Sequence, residues 1–238
     1  MVTGAGSGIG RAAAVRLIGE GARVVATDVV EQRLADLAAE LDGRDIVTVA
    51  GDVSDVATID AILEATEGTA DGLASVAGIM DSFLPPAEMD DATWQRVFDV
   101  NLTGPMRLTR ALLAGMIARE SGSIVYVSSE AGLRSSVSGA AYTSSKHALH
   151  GYAKSVAFYY GPKGIRSNVV APGGVNTNIV VEIKSEYAAT RVGPVIEHIA
   201  TPSVEAETIA ATIAWLLSGD SANINGAVLP SDGGWSTI

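Results

Sequence analysis

Short apolar runs alternate with longer amphipathic stretches along the whole chain. The runs at 23–27 (RVVAT), 45–50 (DIVTVA), 72–78 (GLASVAG), 123–129 (SIVYVSS) and 166–172 (RSNVVAP) are rich in β-branched residues and bounded by turn residues, so they read as short buried strands. A last strand is expected at 226–230 (GAVLP). Between them, Leu34, Leu37, Ala38 and Leu41 recur at i, i+3, i+4 and i+7. Ile59, Ile62 and Leu63 follow the same helical period, as do Ile209, Ile213, Leu216 and Leu217. A long helix over 91–117 is expected to turn Trp94, Val97, Phe98, Leu108 and Leu112 inward, with a kink at Gly104-Pro105. Strands alternating with helices imply right-handed crossovers. The expected fold class is therefore α/β: a doubly wound parallel β-sheet with helices on both faces, three layers deep. Such sheets bind ligands beyond the carboxyl ends of their strands, so the chemistry belongs in the loops that follow them.

Composition narrows the classes. With 238 residues and no linker or repeat, one domain over 1–238 is the economical reading. Hydrophobic residues at 47% and charged residues at 18% describe a globular chain. A net charge of −11 argues against nucleic acid or an anionic membrane as the partner, though it leaves room for a local basic pocket. The absence of cysteine removes disulfides, thiolate metal sites and a cysteine nucleophile, and fits a cytoplasmic setting. No His/Asp/Glu cluster has metal-ligand spacing, so no metal is expected.

Two stretches carry candidate chemistry. The chain opens MVTGAGSGIG, where Gly4, Gly8 and Gly10 follow a short β-like start and run into a helix, with Ser7 and Ile9 among them. Glycines there let the backbone approach a pyrophosphate, and the helix N-terminus presents free N–H groups to it. Asp28 ends the next strand, where a carboxylate binds an adenosine ribose through its hydroxyls and repels a 2′-phosphate. With Ser7 in place of a basic residue, this favours NAD(H) over NADP(H). Asp52 and Val53 follow the third strand, where they would flank the adenine; for Asp52 a solvated turn is an equal reading. The second stretch, AAYTSSKHALHGY, sets Tyr142 and Lys146 one helical turn apart on one face. A cation about 4 Å from a phenol, at an effective dielectric near 20, is worth about 4 kcal/mol or about three pKa units. That suffices to tune a proton donor if the pair is buried.

Taken in order, Thr3 to Gly10, Asp28, Asp52, Ala77-Gly78, Asn101, Ser129, Tyr142, Lys146 and Pro172-Gly173 resemble the short-chain dehydrogenase/reductase family in its single-domain, Rossmann-like form. The resemblance runs over essentially the whole chain. It implies Tyr142 as general acid/base, Lys146 on the nicotinamide ribose, and Ser129 (or Ser128) on the substrate oxygen. Asn101 would kink its helix and hold a water that relays protons to Lys146. Ala77 and Gly78 would leave space beside the cofactor. Pro172, Gly173, Val175 and Thr177 would cover the nicotinamide. The implied reaction interconverts a secondary alcohol and a ketone. A 3-oxoacyl thioester reductase using NADP(H), or a cofactor-binding regulatory protein without activity, are the alternatives. The resemblance further implies a homotetramer or homodimer packed through 91–117 and 142–160. It also implies a substrate lid over 178–200, whose Ile179, Val180, Val181, Ile183, Val192, Val195 and Ile196 suit an apolar alcohol or ketone of modest size.

Other residues have plainer expectations. His147 and His150 read as helix-face or interface residues, His198 as a possible substrate contact, Arg134 as a rim residue, Trp215 as core and Trp235 as an interface residue. Two departures from the family pattern stand out. Ser75-Val76 replaces a pair of amides before Ala77-Gly78, which puts sheet hydrogen bonds in doubt. Only Met1 and Val2 precede the glycine loop, which predicts either a start upstream or an abbreviated central strand.

Overall fold

The computed structural model describes residues 1–135, 138–179 and 182–237. Val180 and Val181 of the expected lid lie outside the described residues. Among those described, the β-branched runs form a parallel sheet of seven strands, ordered β3-β2-β1-β4-β5-β6-β9. These are β1 (Val2–Thr3), β2 (Val24–Asp28), β3 (Ile46–Ala50), β4 (Gly72–Ser75), β5 (Gly122–Val127), β6 (Ile165–Pro172) and β9 (Val228–Ser231). A two-stranded pair, β7 (Val175–Asn176) and β8 (Val204–Glu205), lies apart from it. The helices are α1 (Gly8–Gly19), α2 (Glu31–Glu40), α3 (Val56–Ala65), α4 (Asp91–Phe98), α5 (Gly104–Arg119), α6 (Ala140–Tyr160), α7 (Glu186–Ile199) and α8 (Ala206–Leu217). None is long and apolar enough to cross a membrane.

Successive residues of a strand point to opposite faces, and here both faces are covered. On one side Val2, Ala26, Ala74, Val125 and Val170 pack with Ala13 and Ile18 of α1, Leu34 and Leu37 of α2, and Ile209 and Ile213 of α8. On the other, Val25, Leu73, Ile124, Tyr126 and Val169 meet Ile59 and Ile62 of α3, Leu108 and Leu112 of α5, and Leu149 and Val156 of α6. The strand order reverses between β1 and β4, which opens a crevice beyond their carboxyl ends.

Four expectations need correction. The strand at 45–50 is not buried: β3 is an edge strand, half-exposed along its length. The helix over 91–117 is two helices, α4 and α5, joined by a π-helical turn at Asp99–Thr103, so the break precedes Gly104-Pro105. Trp94 is 39% exposed and stacks on Phe98 with ring centroids 4.7 Å apart, outside the core. Trp215 is likewise exposed on α8.

β1 is central in the sheet. Its two residues pair with Ala26 and Thr27 of β2, and Val2 with Ala74 of β4. The chain at 76–77, where Ser75-Val76 stands in place of an amide pair, is tied to β1. The buried Thr3 hydroxyl accepts from Val76 N at 2.9 Å and Ala77 N at 3.0 Å.

Candidate active site

The glycine loop turns where only glycine fits. Gly4 has φ +66°, and a Cβ on Gly10 would stand 2.1 Å from the Gly4 carbonyl oxygen. This lets α1 start at Gly8 with its free N–H groups towards the crevice. There a groove of about 480 Å³ is lined by Gly4, Ser7, Gly8, Ile9, Gly10, Asp28, Asp52, Val53, Ala77, Gly78 and Thr177 of the expected set. Pro172, Gly173, Val175, Tyr142 and Lys146 are not in its lining; Pro172 is buried at the end of β6, and Val175 of β7 pairs with Val204 of β8.

The groove suits a dinucleotide on several counts. Its volume lies within the range of small-molecule sites. It has a glycine-lined floor at a helix N-terminus, and two guanidiniums, Arg33 and Arg96, border it in an otherwise acidic chain. Asp28, at the tip of β2, is buried. It accepts from Gly6 N at 3.0 Å and Val30 N at 2.9 Å. Asp52 accepts from Ser54 N and the Ser54 hydroxyl and pairs with Arg96. Partial desolvation acts to raise its pKa, but the Ser54 and Arg96 contacts outweigh it and hold the carboxyl below its usual range.

The floor of the groove meets the catalytic candidates at Gly78. A Cβ there would stand 3.3 Å from both Lys146 Nζ and Asn101 Oδ1. Tyr142 and Lys146 are both buried on α6, with Lys146 Nζ 5.4 Å from the centroid of the phenol ring. Lys146 donates to the Val127 carbonyl at 3.0 Å. Burial pushes the Tyr142 phenol up to about 12; the Ser129 hydroxyl beside it works the other way, and the Asp81 carboxylate adds to the rise. Burial also pushes Lys146 down to about 8. Each member of the pair is thus driven towards its neutral form, the reverse of the tuning expected from their proximity.

Ser129, rather than Ser128, faces Tyr142. Ser128 is buried behind it, 2.7 Å from His150 Nε2. His150 is held down to about 4 by burial, then by the positive charges of His147, Lys154 and Lys146. Asn101 sits in the π-helical turn and bridges to the chain after β4. Its Oδ1 accepts from Ile79 N at 2.9 Å, and its Nδ2 donates to Ile79 O at 3.0 Å and to Ser145 Oγ at 3.1 Å. That bridge gives the turn its physical cause: the side chain draws one residue of the helix towards β4.

Elsewhere, His147 is exposed and lies 2.9 Å from the Thr143 carbonyl, while His198 is exposed and lies 2.8 Å from the Pro194 carbonyl. Arg134 pairs with the buried Glu130 and donates to Trp235 O. Trp235 is buried within the chain, under the Arg134 guanidinium. No group of three His, Cys, Asp or Glu residues suited to a metal occurs among the described residues.

Sequence reasoning missed one residue at this site. Asp81 carries no motif in the sequence, yet it is 1% exposed and binds the backbone of the helix that carries Tyr142.

Comparison with known proteins identifies the family. Residues 1–188 match the family model described as short chain dehydrogenase. A 3beta-hydroxysteroid dehydrogenase of Eggerthella lenta is 39% identical over 99% of this chain and 94% of its own. The crystal structure of levodione reductase superposes with a TM-score of 0.89 at 34% identity, over 99% of this chain and 96% of that one. A short chain dehydrogenase from Mycobacterium paratuberculosis, bound to NAD, gives a TM-score of 0.86 at 30% identity over 100% and 97%. On its fold and its match over most of its length, this chain belongs to the short-chain dehydrogenase/reductase family.

Proposed function

We propose that the protein is an NAD(H)-dependent oxidoreductase that interconverts a secondary alcohol and a ketone. The observation that carries this reading is the burial of Tyr142 and Lys146 one helical turn apart, with Lys146 Nζ reaching Gly78 of the glycine-lined groove. A bound nicotinamide supplies the hydride acceptor or donor and, when oxidised, a positive charge beside the phenol. The chain's own residues handle the oxygen and the proton. Ser129 donates to the substrate oxygen and fixes it beside Tyr142. In oxidation the Tyr142 oxygen takes the hydroxyl proton as the carbinol carbon gives up its hydride; in reduction it returns that proton to the carbonyl oxygen. Because its surroundings, burial foremost, hold the phenol near 12, the positive charge of an oxidised nicotinamide would supply the lowering that brings it towards working range. Asn101 holds the segment that carries Ile79 against Ser145 and supports a water beside Lys146.

Asp28 supports NAD(H) over NADP(H), because its carboxylate at the tip of β2 would meet a 2′-phosphate. The NAD-bound structure of a relative points the same way. The names of the steroid and levodione relatives support a ring alcohol or ketone as substrate, and the exposed Ile179, Ile183 and Ile196 of the proposed lid over 178–200 suit an apolar one. A cytoplasmic homotetramer or homodimer completes the reading.

The test is fluorescence-monitored binding of NADH and NADPH, followed by nicotinamide absorbance with a panel of cyclic and steroid alcohols. NADH binding with turnover that falls at least a hundredfold in Tyr142→Phe, on the order of a lost general acid/base, is expected. Preferential NADPH binding would overturn the role given to Asp28 and promote the 3-oxoacyl thioester reductase. NADH binding without turnover of any alcohol would promote the regulatory protein.

A further inference from the structure

We infer that Asp81, in the loop after β4, is a positioning residue for Tyr142: its buried carboxylate stands in for the missing N-cap side chain of α6 and fixes the turn that carries the phenol. The inference rests on the dehydrogenase reading for its kinetic consequence, though not for its geometry.

The first N–H groups of a helix have no acceptor within it, and an N-cap side chain usually serves the third residue. The N-cap of α6 is Gly139, which has no side chain to offer. Tyr142 is the third residue of that helix. Its N–H donates to Asp81 Oδ2 at 2.9 Å, and Gly139 N donates to Asp81 Oδ1 at 3.1 Å. Ala140 N donates to Leu84 O, from the same loop, at 2.9 Å. The opening turn of α6 is therefore hung on residues 81–84.

Two further observations show that this contact is built. A Cβ on Gly139 would stand 2.4–2.5 Å from the Asp81 carboxylate, so the approach requires glycine. The loop itself is strained. Ser82 and Phe83 hold φ of 56° and 58°, successive non-glycine residues in the left-handed region. Such backbone persists only where its surroundings over-determine it. Here Phe83 is buried and its N–H donates to Asp81 Oδ1 at 3.2 Å. The carboxylate also complements the positive end of α6. Around the phenol stand Asp81, Ser129 and, over the ring, Lys146; the Asp81 charge acts to raise its pKa.

The test compares Asp81→Asn and Gly139→Ala with the native chain. Three quantities are read: NADH affinity, kcat and KM across pH for alcohol oxidation, and titration of the Tyr142 phenol by carbon NMR of labelled tyrosine. The Tyr142 resonance is identified by its loss in Tyr142→Phe. Asn keeps one acceptor but turns an amide donor towards Tyr142 N, and Ala pushes the carboxylate away. Both are expected to keep NADH affinity and to lose about ten- to a hundredfold in kcat, as a small misplacement of a reacting group does. In Asp81→Asn, removal of the charge is also expected to move the phenol titration, and the acid limb of kcat/KM with it, to lower pH. Native kcat in both variants, or a lower kcat in Asp81→Asn with an unmoved phenol titration, would overturn the inference. If Asp81→Asn does not fold, kcat in Gly139→Ala decides, because that variant keeps the carboxylate. If the native chain turns over no alcohol, the dehydrogenase reading fails, and the phenol titration still decides the role of Asp81.

Discussion

Burial drives Tyr142 and Lys146 in opposite directions, and stability should record both. Lys146 sits near 8 when folded, below its ordinary value, so the folded state favours the neutral amine. Its burial cost is fully present below pH 8 and relieved as pH rises towards the unfolded value. Stability should climb over that window by about 3 kcal/mol at most. Tyr142 sits near 12, above its ordinary 10, so stability should fall again above pH 10. Denaturant unfolding across pH will show the rise, and Lys146→Met should abolish it. At the same scale, Thr3→Val would strand Val76 N and Ala77 N and lower stability by about 2–4 kcal/mol, with Thr3→Ser close to native. The Tyr-x-x-x-Lys spacing predicts a shared helix face, and the structure has it. Thr3 stands in the opening motif, but which groups its hydroxyl serves leaves no trace in local sequence, because that depends on which strand lies alongside.

At the level of the element, strands and helices were largely readable, since β-branched runs and the 3.6-residue period report which surfaces must be buried. What escaped was context. β3 has the same composition as its central neighbours, and only strand order makes it an edge. The π-helical turn at Asp99–Thr103 inserts an irregularity that apolar periodicity bridges smoothly, so 91–117 read as one helix. Trp94 was expected inward with the other apolar positions of that helix, yet α4 turns it outward against Phe98. The irregular turn makes its own prediction. Asn101→Ala removes the bridge to both backbone groups of Ile79 and the bond to Ser145. Thermal unfolding should report a loss of about 1–3 kcal/mol, and hydrogen exchange at Ile79 N should accelerate.

For the whole molecule, an α/β architecture was legible from alternation alone, and the crevice follows from the reversal of strand order. The faces left over are informative too. Phe158 and Tyr159, at the end of α6, are 76% and 69% exposed and stack edge to face 5.2 Å apart. Light scattering at micromolar concentration should show the proposed dimer or tetramer, and replacing both residues with serine should shift it towards monomer. His150 makes the fold sensitive to acid. Held near 4, it contributes stability that is present above its ordinary 6.5 and is lost as pH falls through 4; His150→Gln should flatten that part of the acid unfolding profile.

The double engagement of Asp28 has a consequence for anyone who would re-engineer the enzyme. Its two oxygens serve Gly6 N and Val30 N, so the residue proposed to guard the ribose also pins the glycine loop to the tip of β2. Swapping it for a small or basic residue to admit a phosphorylated ribose would unfasten that corner at the same stroke. A successful exchange of coenzyme therefore needs two alterations. The replacement at 28 must still receive both amides, and the phosphate must be met elsewhere, for which Arg33 already stands at the rim of the groove.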